Sequence, residues 1–411
     1  MQYSMFKMRA CSRRMWLKCG LTIMLLGFVG SMTKFFWNEE TFDTQYIIGT
    51  NIEVARSTMK LEKLSIPGYD DDTDEYFKSV KDTNYIPINC PINITLFTVF
   101  HEGLRAKEVL QNNTLLNWMQ LQRHCIRPVF YSNNSVGILA GKKYHGWQHH
   151  PLSANMIARN NVILRELFSE TFKRHNSDFY MFAYADLLFH GDSLLKTLSA
   201  VKNYVQKAKL EYFIISGSRY EVPFYNSRYK ITKKLRIGDD IEIENIQLER
   251  KPLHISKIEY FITTKDSFPW DVVPDLVVTT LAPDPLPAFW FPMYANKLGI
   301  ATFDISRSIS PLRQAGLMPN IMDREHRMAT KLNTFVFIKS FTKYCLYKPV
   351  IHSHVIPQIS TLNCFKLRTL QGKDGSINVE NSMTYSDNEC KYRYPIMIPM
   401  LERDENFWDI L

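Results

Sequence analysis

Beyond Trp37 this 411-residue sequence contains no second apolar run long enough to cross a bilayer, so the chain spans a membrane at most once. It has no internal repeat, which excludes a solenoid or a propeller. It has no G-x-S-x-G elbow, no H-E-x-x-H, no Walker loop and no G-x-G-x-x-G, the signatures of several large enzyme classes. The C-x-x-C and Cys/His spacings of structural zinc sites are missing, and with them any zinc-finger or RNA-binding signature. No acid occurs before Glu39.

What is present begins with a membrane signal. The stretch Leu17 to Trp37 is apolar, its core from Cys19 to Thr33 is uncharged, and Lys18 and Lys34 flank that core with stems able to reach the interface. Five cations, Lys7, Arg9, Arg13, Arg14 and Lys18, precede it, so the basic tail (1–18) stays cytosolic and the rest is translocated. The reading adopted is an uncleaved signal anchor over 19–37; a cleaved signal peptide is the rival, disfavoured by the long basic region and the lack of an A-x-A site. The formal charge of +9 falls to +4 once the five tail cations are set aside, a mild bias that leaves no nucleic-acid footprint. Hydrophobic residues at 45% and aromatics at 13% exclude wholesale disorder.

Of seven cysteines, Cys90, Cys125, Cys345, Cys364 and Cys390 face the oxidising lumen, where two disulfides and one thiol are the plain expectation. Three sequons, at Asn93, Asn112 and Asn133, agree with that exposure, with Asn93 expected at the start of a core strand and so unused.

Residues 38–89 read as a luminal stem holding the acidic run Asp70 to Glu75. From Cys90 strands alternate with helices. Expected strands are Ile94–Phe100, Pro128–Tyr131, Phe179–Ala183 and Tyr212–Ile215, with a short helix over Leu115–Leu121. A helix capped by Ser153 runs through Ile157, Leu164, Phe168 and Phe172, and another carries Leu194, Leu198, Val201 and Val205. This alternation predicts an α/β fold, a mainly parallel sheet with helices on both faces. After Gly217 residues 225–257 read as a charged loop and Pro269 to Pro292 as proline-rich. A strand at Ile300–Phe303 and a helix near Arg324 to Leu332 follow. The expected division is a core domain over 90–344 and a cysteine-containing extension over 345–411.

In such a sheet ligands sit at the carboxyl ends of the strands, which directs attention to Phe182-Ala-Tyr-Ala-Asp186. A carboxylate there can hold Mg²⁺ or Mn²⁺ on a diphosphate, or it can merely cap the next turn. Asp70 to Asp74, and Asp239 with Asp240, are acid clusters better read as solvated charge.

Several short blocks recur in a fixed order: Thr-x-Phe in the first strand, Gln111, Asn117-Trp118, Pro128–Tyr131, Phe179–Phe189, Ile214–Tyr220, Glu259–Phe268 and Phe303-Asp304. From about Asn93 to Leu332 the chain resembles a divergent group of GT-A fold, nucleotide-sugar-dependent glycosyltransferase-like proteins, and its anchor and stem resemble the type II layout of Golgi enzymes. The resemblance implies a nucleoside-diphosphate sugar as donor, a divalent cation (Mn²⁺ or Mg²⁺) on Asp186, and Arg159, Asn160 and Arg219 near the diphosphate. Asp304 and Glu325 are the candidates for the catalytic acid or base, with Asp323 and Asp284 in reserve. The implied setting is the Golgi or ER membrane, with a glycan, protein or lipid hydroxyl as acceptor.

The chain also departs from that pattern. Tyr184-Ala-Asp186 stands where relatives carry Asn-Ala-Asp, Arg313-Gln314 stands for His-Gln, and Pro287-Ala-Phe-Trp290 replaces an acid-Asn-Trp. A histidine can ligate a metal and an arginine cannot. The metal site is therefore thinner, replaced by cations, or lost, with His352 and His354 as possible substitutes. An inactive GT-A-like luminal binding or partner protein is the alternative function. A luminal sulfotransferase fits less well, because His101 to Lys107 makes a poor phosphate loop.

Overall fold

The computed structural model describes residues 90–100, 105–133, 146–158, 161–224, 232–250, 253–255, 258–278, 285–315, 329, 331–333, 335–336, 364–383 and 385. All of them belong to one unit, Asp70–Leu411. The expected tail, signal anchor and stem lie outside the described residues. Among those described, no helix is long and apolar enough to cross a membrane.

Strand β1 (Ile94–Val99) leads into α1 (Arg105–Gln120), then β2 (Ile126–Tyr131) and β3 (Gln148–His150). Two short strands, β4 (Ile157–Ala158) and β5 (Asn161–Ile163), precede α2 (Leu164–Arg174), β6 (Phe179–Ala183), β7 (Leu187–Leu188) and α3 (Gly191–Ala208). Next come β8 (Phe213–Ser216), β9 (Arg219–Pro223), α4 (Asp240–Arg250), β10 (Leu253–Ile255), β11 (Tyr260–Thr263) and β12 (Val277–Val278). The chain continues through α5 (Pro285–Leu298), β13 (Ala301–Asp304), β14 (Leu312–Ala315), β15 (Leu367–Gln371) and β16 (Ile377–Asn381).

Nine strands form the main sheet in the order β16-β15-β13-β8-β11-β6-β1-β2-β3. Only β11 and β16 run against the rest. Both faces are covered, as a parallel sheet requires. Alternate residues of β6 go to opposite cores: Phe179, Met181 and Ala183 join Leu194, Leu198 and Val201 of α3, while Tyr180 and Phe182 join Leu167 and Phe168 of α2. Each large apolar side chain so buried contributes roughly 1.5–3 kcal/mol. The expected mainly parallel α/β layering is thus present. A disulfide joins Cys90 to Cys125, tying the start of β1 to the start of its parallel neighbour β2. Cys364 is also disulfide-bonded.

Several local expectations are corrected. The helix capped by Ser153 begins only at Leu164. Ser153 instead opens a 3-10 turn, and Ile157 and Val162 pair across β4 and β5, β5 in turn bonding to Val277 and Val278 of β12. The apolar spacing there comes from strand residues facing a third small sheet, which mimics a helical period over so short a stretch. Residues 225–257 are more than a loop, because α4 buries Ile243 and Ile246. Asp239 accepts from the Glu242 backbone N–H at 2.9 Å, and the Glu242 carboxylate accepts from the backbone of Arg236, Ile237 and Gly238. Asp240 accepts from the N–H groups of Gly191 and Asp192 at the start of α3. These acids are helix caps rather than solvated charge, and Asp240 is pulled down to about 2: burial works against it, but the His124 contact and the two N–H groups prevail.

Residues 367–381 add two strands to the main sheet instead of standing apart as an extension. Asn93 lies just before β1 and is exposed, against the expectation that the strand start would bury it, and Asn133, also exposed, is bonded through its side-chain amide to the backbone of Leu152.

At the far edge His150 Nε2 and His175 Nε2 stand 3.0 Å apart, a contact that needs at least one neutral ring. Burial, then His150, Arg127 and Arg174, push His175 down to about 4, and burial with Arg174 and His149 lowers His150. The unfolded chain takes up a proton near 6.5 and the folded chain does not, so stability present above that pH is lost as pH falls toward about 4. Each unit of that window costs up to about 1.4 kcal/mol. Chemical denaturation of His175→Gln across the window is expected to show a shallower acid loss than wild type; an equal slope would remove the pair from the acid response.

Candidate functional site

The carboxyl ends of β6, β8 and β13 lie on one edge of the sheet, and because β11 is antiparallel its beginning, Glu259-Tyr260, reaches the same edge. A four-stranded sheet, β10-β9-β14-β7, is built from the segments leaving those strands. The site is therefore made where the main sheet hands its chain to the small one.

The backbone after β6 is clamped by polar residues of α1. Thr114 Oγ1 donates to the Ala185 carbonyl at 2.6 Å and Trp118 Nε1 to that of Leu187 at 2.9 Å. Asn117 donates to the Phe189 carbonyl at 3.0 Å and the Gly238 carbonyl at 2.8 Å, and accepts from the Phe189 N–H. Gly238, at φ +76°, lets that backbone lie against Asn117, where a Cβ would meet its nitrogen at 2.8 Å. Gln314 on β14 accepts from Asn113 at 2.8 Å, and its backbone donates to the Asp186 carbonyl at 3.1 Å. The position of Asp186 is therefore set by its neighbours rather than by its own side chain.

Around Asp186 a five-residue charged network closes. Arg313 Nε lies 2.9 Å from Asp186 Oδ2, and its Nη1 lies 3.2 Å from Glu259 and 3.5 Å from Glu221. Arg219 contacts Glu221 and Glu259, each at 2.5 Å. The Arg219 and Glu259 side chains are each 1% exposed and Asp186 2%, whereas Arg313 at 21% and Glu221 at 28% reach solvent. Burial pushes Asp186 upward against the pull of Arg313, and pushes Glu259 up to about 7 against Arg313 and Arg219. Burial alone would lower Arg313, but Glu259 and Asp186 more than offset it and hold its proton firmly. Asp186 Oδ1 and Glu259 Oε2 are buried with no hydrogen bond.

The sequence-derived candidates separate in space. Asp186 and Arg219 share one network through Glu259. Arg219 lies inside that network rather than facing solvent. Asp304, the last residue of β13, pairs in register with Ser216 and is three strands from β6, about 14 Å at ordinary strand spacing. Its Oδ1 accepts from the Ser306 N–H at 2.9 Å and from the Ser306 hydroxyl. Burial raises its pKa, with Ser306, Arg307 and His254 opposing. The Ser218 N–H donates to Ser306 Oγ at 2.6 Å, and Ser218 Oγ lies 2.7 Å from His254 Nε2. Between the two clusters Gly217 runs so close to Tyr260 that a Cβ would lie 2.2 Å from its hydroxyl. Arg159, Asn160, Glu325, Asp323, Asp284, His352 and His354 lie outside the described residues.

Sequence reasoning did not single out Glu221, Glu259, Asn113 or Thr114. The spacing Arg219-x-Glu221 places both charges on one face of a strand and was the available signal.

The described residues do not fit a divalent cation. A metal bound to Asp186 Oδ2 at the usual oxygen-ligand distance, about 2.0–2.2 Å, would be pressed against the Arg313 guanidinium. Among the described residues no group of three His, Cys, Asp or Glu side chains is arranged to hold a metal ion.

No family profile matches the sequence, and no curated protein matches it. Among solved structures it is similar to the mannosyltransferase PcManGT from Pyrobaculum calidifontis, in complex with GDP-mannose and Mn²⁺. That likeness is at 10% identity over 71% of this chain and 76% of that one, with a TM-score of 0.33. It is similar to TarS 1–349 of S. aureus at 11% identity over 33% of this chain and 43% of that one, with a TM-score of 0.21.

Breaking a buried ion pair by removing one partner costs about 3–5 kcal/mol. Arg219→Met, which leaves Glu259 with half its positive neighbours, is expected to lose that much in chemical denaturation. Adding Glu259→Gln should recover part of it, and strict additivity of the two changes would show that the residues are not coupled.

Proposed function

We propose that this chain is a glycosyltransferase of GT-A type, held in the Golgi or ER membrane by its helix at 19–37, with residues from 90 onward in the lumen. It moves a sugar from a nucleoside-diphosphate donor to a hydroxyl on a glycan, protein or lipid. The observation that carries this reading is the gathering of Asp186, Arg219, Glu259 and Asp304 at the carboxyl edge of a mainly parallel sheet.

Asp304 is placed as the base. One of its oxygens is held by Ser306 and burial raises its pKa, which makes it a stronger base than an exposed carboxylate. It takes the proton of the acceptor hydroxyl as that oxygen bonds the anomeric carbon, and the nucleoside diphosphate leaves with the electrons of the broken bond. Arg313 is the network guanidinium that reaches solvent and can face the departing diphosphate. Arg159 and Asn160 remain part of the proposal as contacts to the diphosphate, and Glu325 as the second candidate for the catalytic acid or base. No step is assigned to a divalent ion.

A second reading, a non-catalytic descendant that binds a nucleotide, a glycan or a partner transferase, is favoured by one observation: Asp186 is sealed and already neutralised by Arg313.

The detergent-solubilised full-length chain, screened for nucleotide-sugar hydrolysis and for stabilisation by uridine or guanosine diphosphate, separates the two. The transferase reading expects turnover that falls by roughly 10²-fold or more in Asp304→Asn, with nucleotide stabilisation kept. Stabilisation without turnover selects the binder. Unchanged turnover in Asp304→Asn removes that residue from the chemistry, and no response to any nucleotide overturns both nucleotide-based readings.

A further inference from the structure

We infer that Asn93 carries an N-linked glycan, added before β1 docks into the sheet, and that Asn133 stays bare. The inference rests on the luminal placement proposed above and needs nothing of the transferase chemistry.

Asn-x-Ser/Thr is the acceptor sequence for such a glycan, which is bulky and demands a surface position. Two of the three sequons start at an exposed asparagine, Asn93 and Asn133, while Asn112 is half-buried on α1. Asn93 stands one residue before β1 with its backbone held on both sides. Its N–H donates to Asp178 Oδ2 at 2.8 Å, and its carbonyl accepts from the N–H groups of Asp178 and Phe179 at 2.9 and 3.1 Å. Asp178 is itself paired with Lys202 at 2.7 Å. Among the described residues the Asn93 side-chain amide has no hydrogen-bond partner. The fold thus fixes the chain here and leaves the amide to solvent.

Asn133 is exposed too, but both ends of its amide are in use. Oδ1 accepts from the Leu152 N–H at 2.7 Å, and Nδ2 donates to the Leu152 carbonyl at 2.9 Å. Reaching the N–H and C=O of one residue uses the Nδ2 hydrogen that lies beside Oδ1. A substituted amide is trans, so a sugar on Nδ2 would take that same position. A glycan on Asn133 breaks a hydrogen bond, and one on Asn93 breaks none.

The order of events follows from Thr95. Its hydroxyl is buried 2.7 Å from that of Ser177, and Ile94 and Thr95 pair with β2 on one side and β6 on the other. Two residues of the sequon are therefore closed off once the sheet forms, and the sugar must arrive first. In the transfer the Asn93 Nδ2 bonds the anomeric carbon of an oligosaccharide carried on a lipid diphosphate. The bond from that carbon to the diphosphate breaks, its electrons leave with the diphosphate, and the amide gives one proton to the transferring enzyme. Because β1 is six residues long and runs parallel to β2 and β6, the glycan stands roughly 20 Å from the carboxyl edge and leaves the site open.

The test expresses the full-length chain in cells with a secretory pathway. Glycopeptide mass spectrometry and gel mobility before and after endoglycosidase read each sequon, and protease protection in intact microsomes reads the side of the membrane. Wild type is expected to carry a glycan on Asn93 and none on Asn133, with one glycan lost in Asn93→Gln and none in Asn133→Gln. A protected chain with bare Asn93 overturns the inference and leaves the luminal placement standing, and a glycan on Asn133 overturns the contrast between the two sites. A chain open to protease overturns the luminal placement and the inference together.

For the timing, a peptide of residues 90–98 is compared with the folded chain from cells whose lipid-linked oligosaccharide synthesis is blocked. Each is offered the transferring enzyme and its lipid-linked donor. The folded chain is expected to be modified at Asn93 at least roughly tenfold less than the peptide, because the strand must open first. Equal modification overturns the claim that the sugar precedes the fold.

Discussion

A carboxylate taken out of water has to be met by positive charge, and at the working edge of this sheet the chain supplies that charge itself. Asp186 and Glu259 lie almost completely inside the protein, and the guanidinia of Arg313 and Arg219 thread between them and Glu221. Attraction of this kind repays desolvation only when the geometry is rigid and the remaining atoms are bonded. The surrounding structure is arranged to that end. Residues of α1 hold the carbonyls before and after Asp186, Gln314 anchors the strand that carries Arg313, and β9 presents Arg219 and Glu221 on one face. Asp186 Oδ1 and Glu259 Oε2 still go without a hydrogen bond or an ion-pair contact, so the network is tight without being fully satisfied.

The antiparallel strand β11 makes this possible. Were it parallel, Glu259 would open at the opposite end of the sheet, far from Asp186. Reversing one strand brings an N-terminal residue to an edge otherwise built from strand ends, and a second carboxylate enters the centre. The same edge carries Asp304 two strands from β11, tied to Ser306 and through Ser218 to His254. The edge therefore holds two polar centres of different character, one sealed and paired, the other half-open with a raised carboxylate, and Gly217 packs against Tyr260 between them. That division of labour is what a transferase needs if one centre stabilises the donor and the other handles the acceptor proton.

Strands with unbroken apolar runs were legible in the sequence. Phe179–Ala183 is read at its observed limits because both faces of the strand are buried and every residue is apolar. Ile157 to Ile163 was misread because two short strands can imitate the spacing of one helix, and α4 was missed because only Ile243 and Ile246 mark its inner face. At the site, Asp186 stood out because an acid closing a buried strand is unusual, and Arg313 because it replaces a potential ligand. Of their partners, Glu221 was signalled only by its spacing from Arg219 on one strand face, and Glu259 was hidden, since nothing in a linear spacing tells that β9, β11 and β14 converge on one carboxylate.

The hairpin of β15 and β16 covers the outer side of β13, and β15 bonds to it through Phe303 and Asp304 themselves. A truncation at residue 344, natural as it looks from composition, would strip that cover and lay bare the backbone N–H and C=O groups of β13. An uncapped strand of this sort invites edge-to-edge association with another copy. Shortened forms of the protein would therefore tend to aggregate before they lost their core, and their inactivity would say nothing about the chemistry.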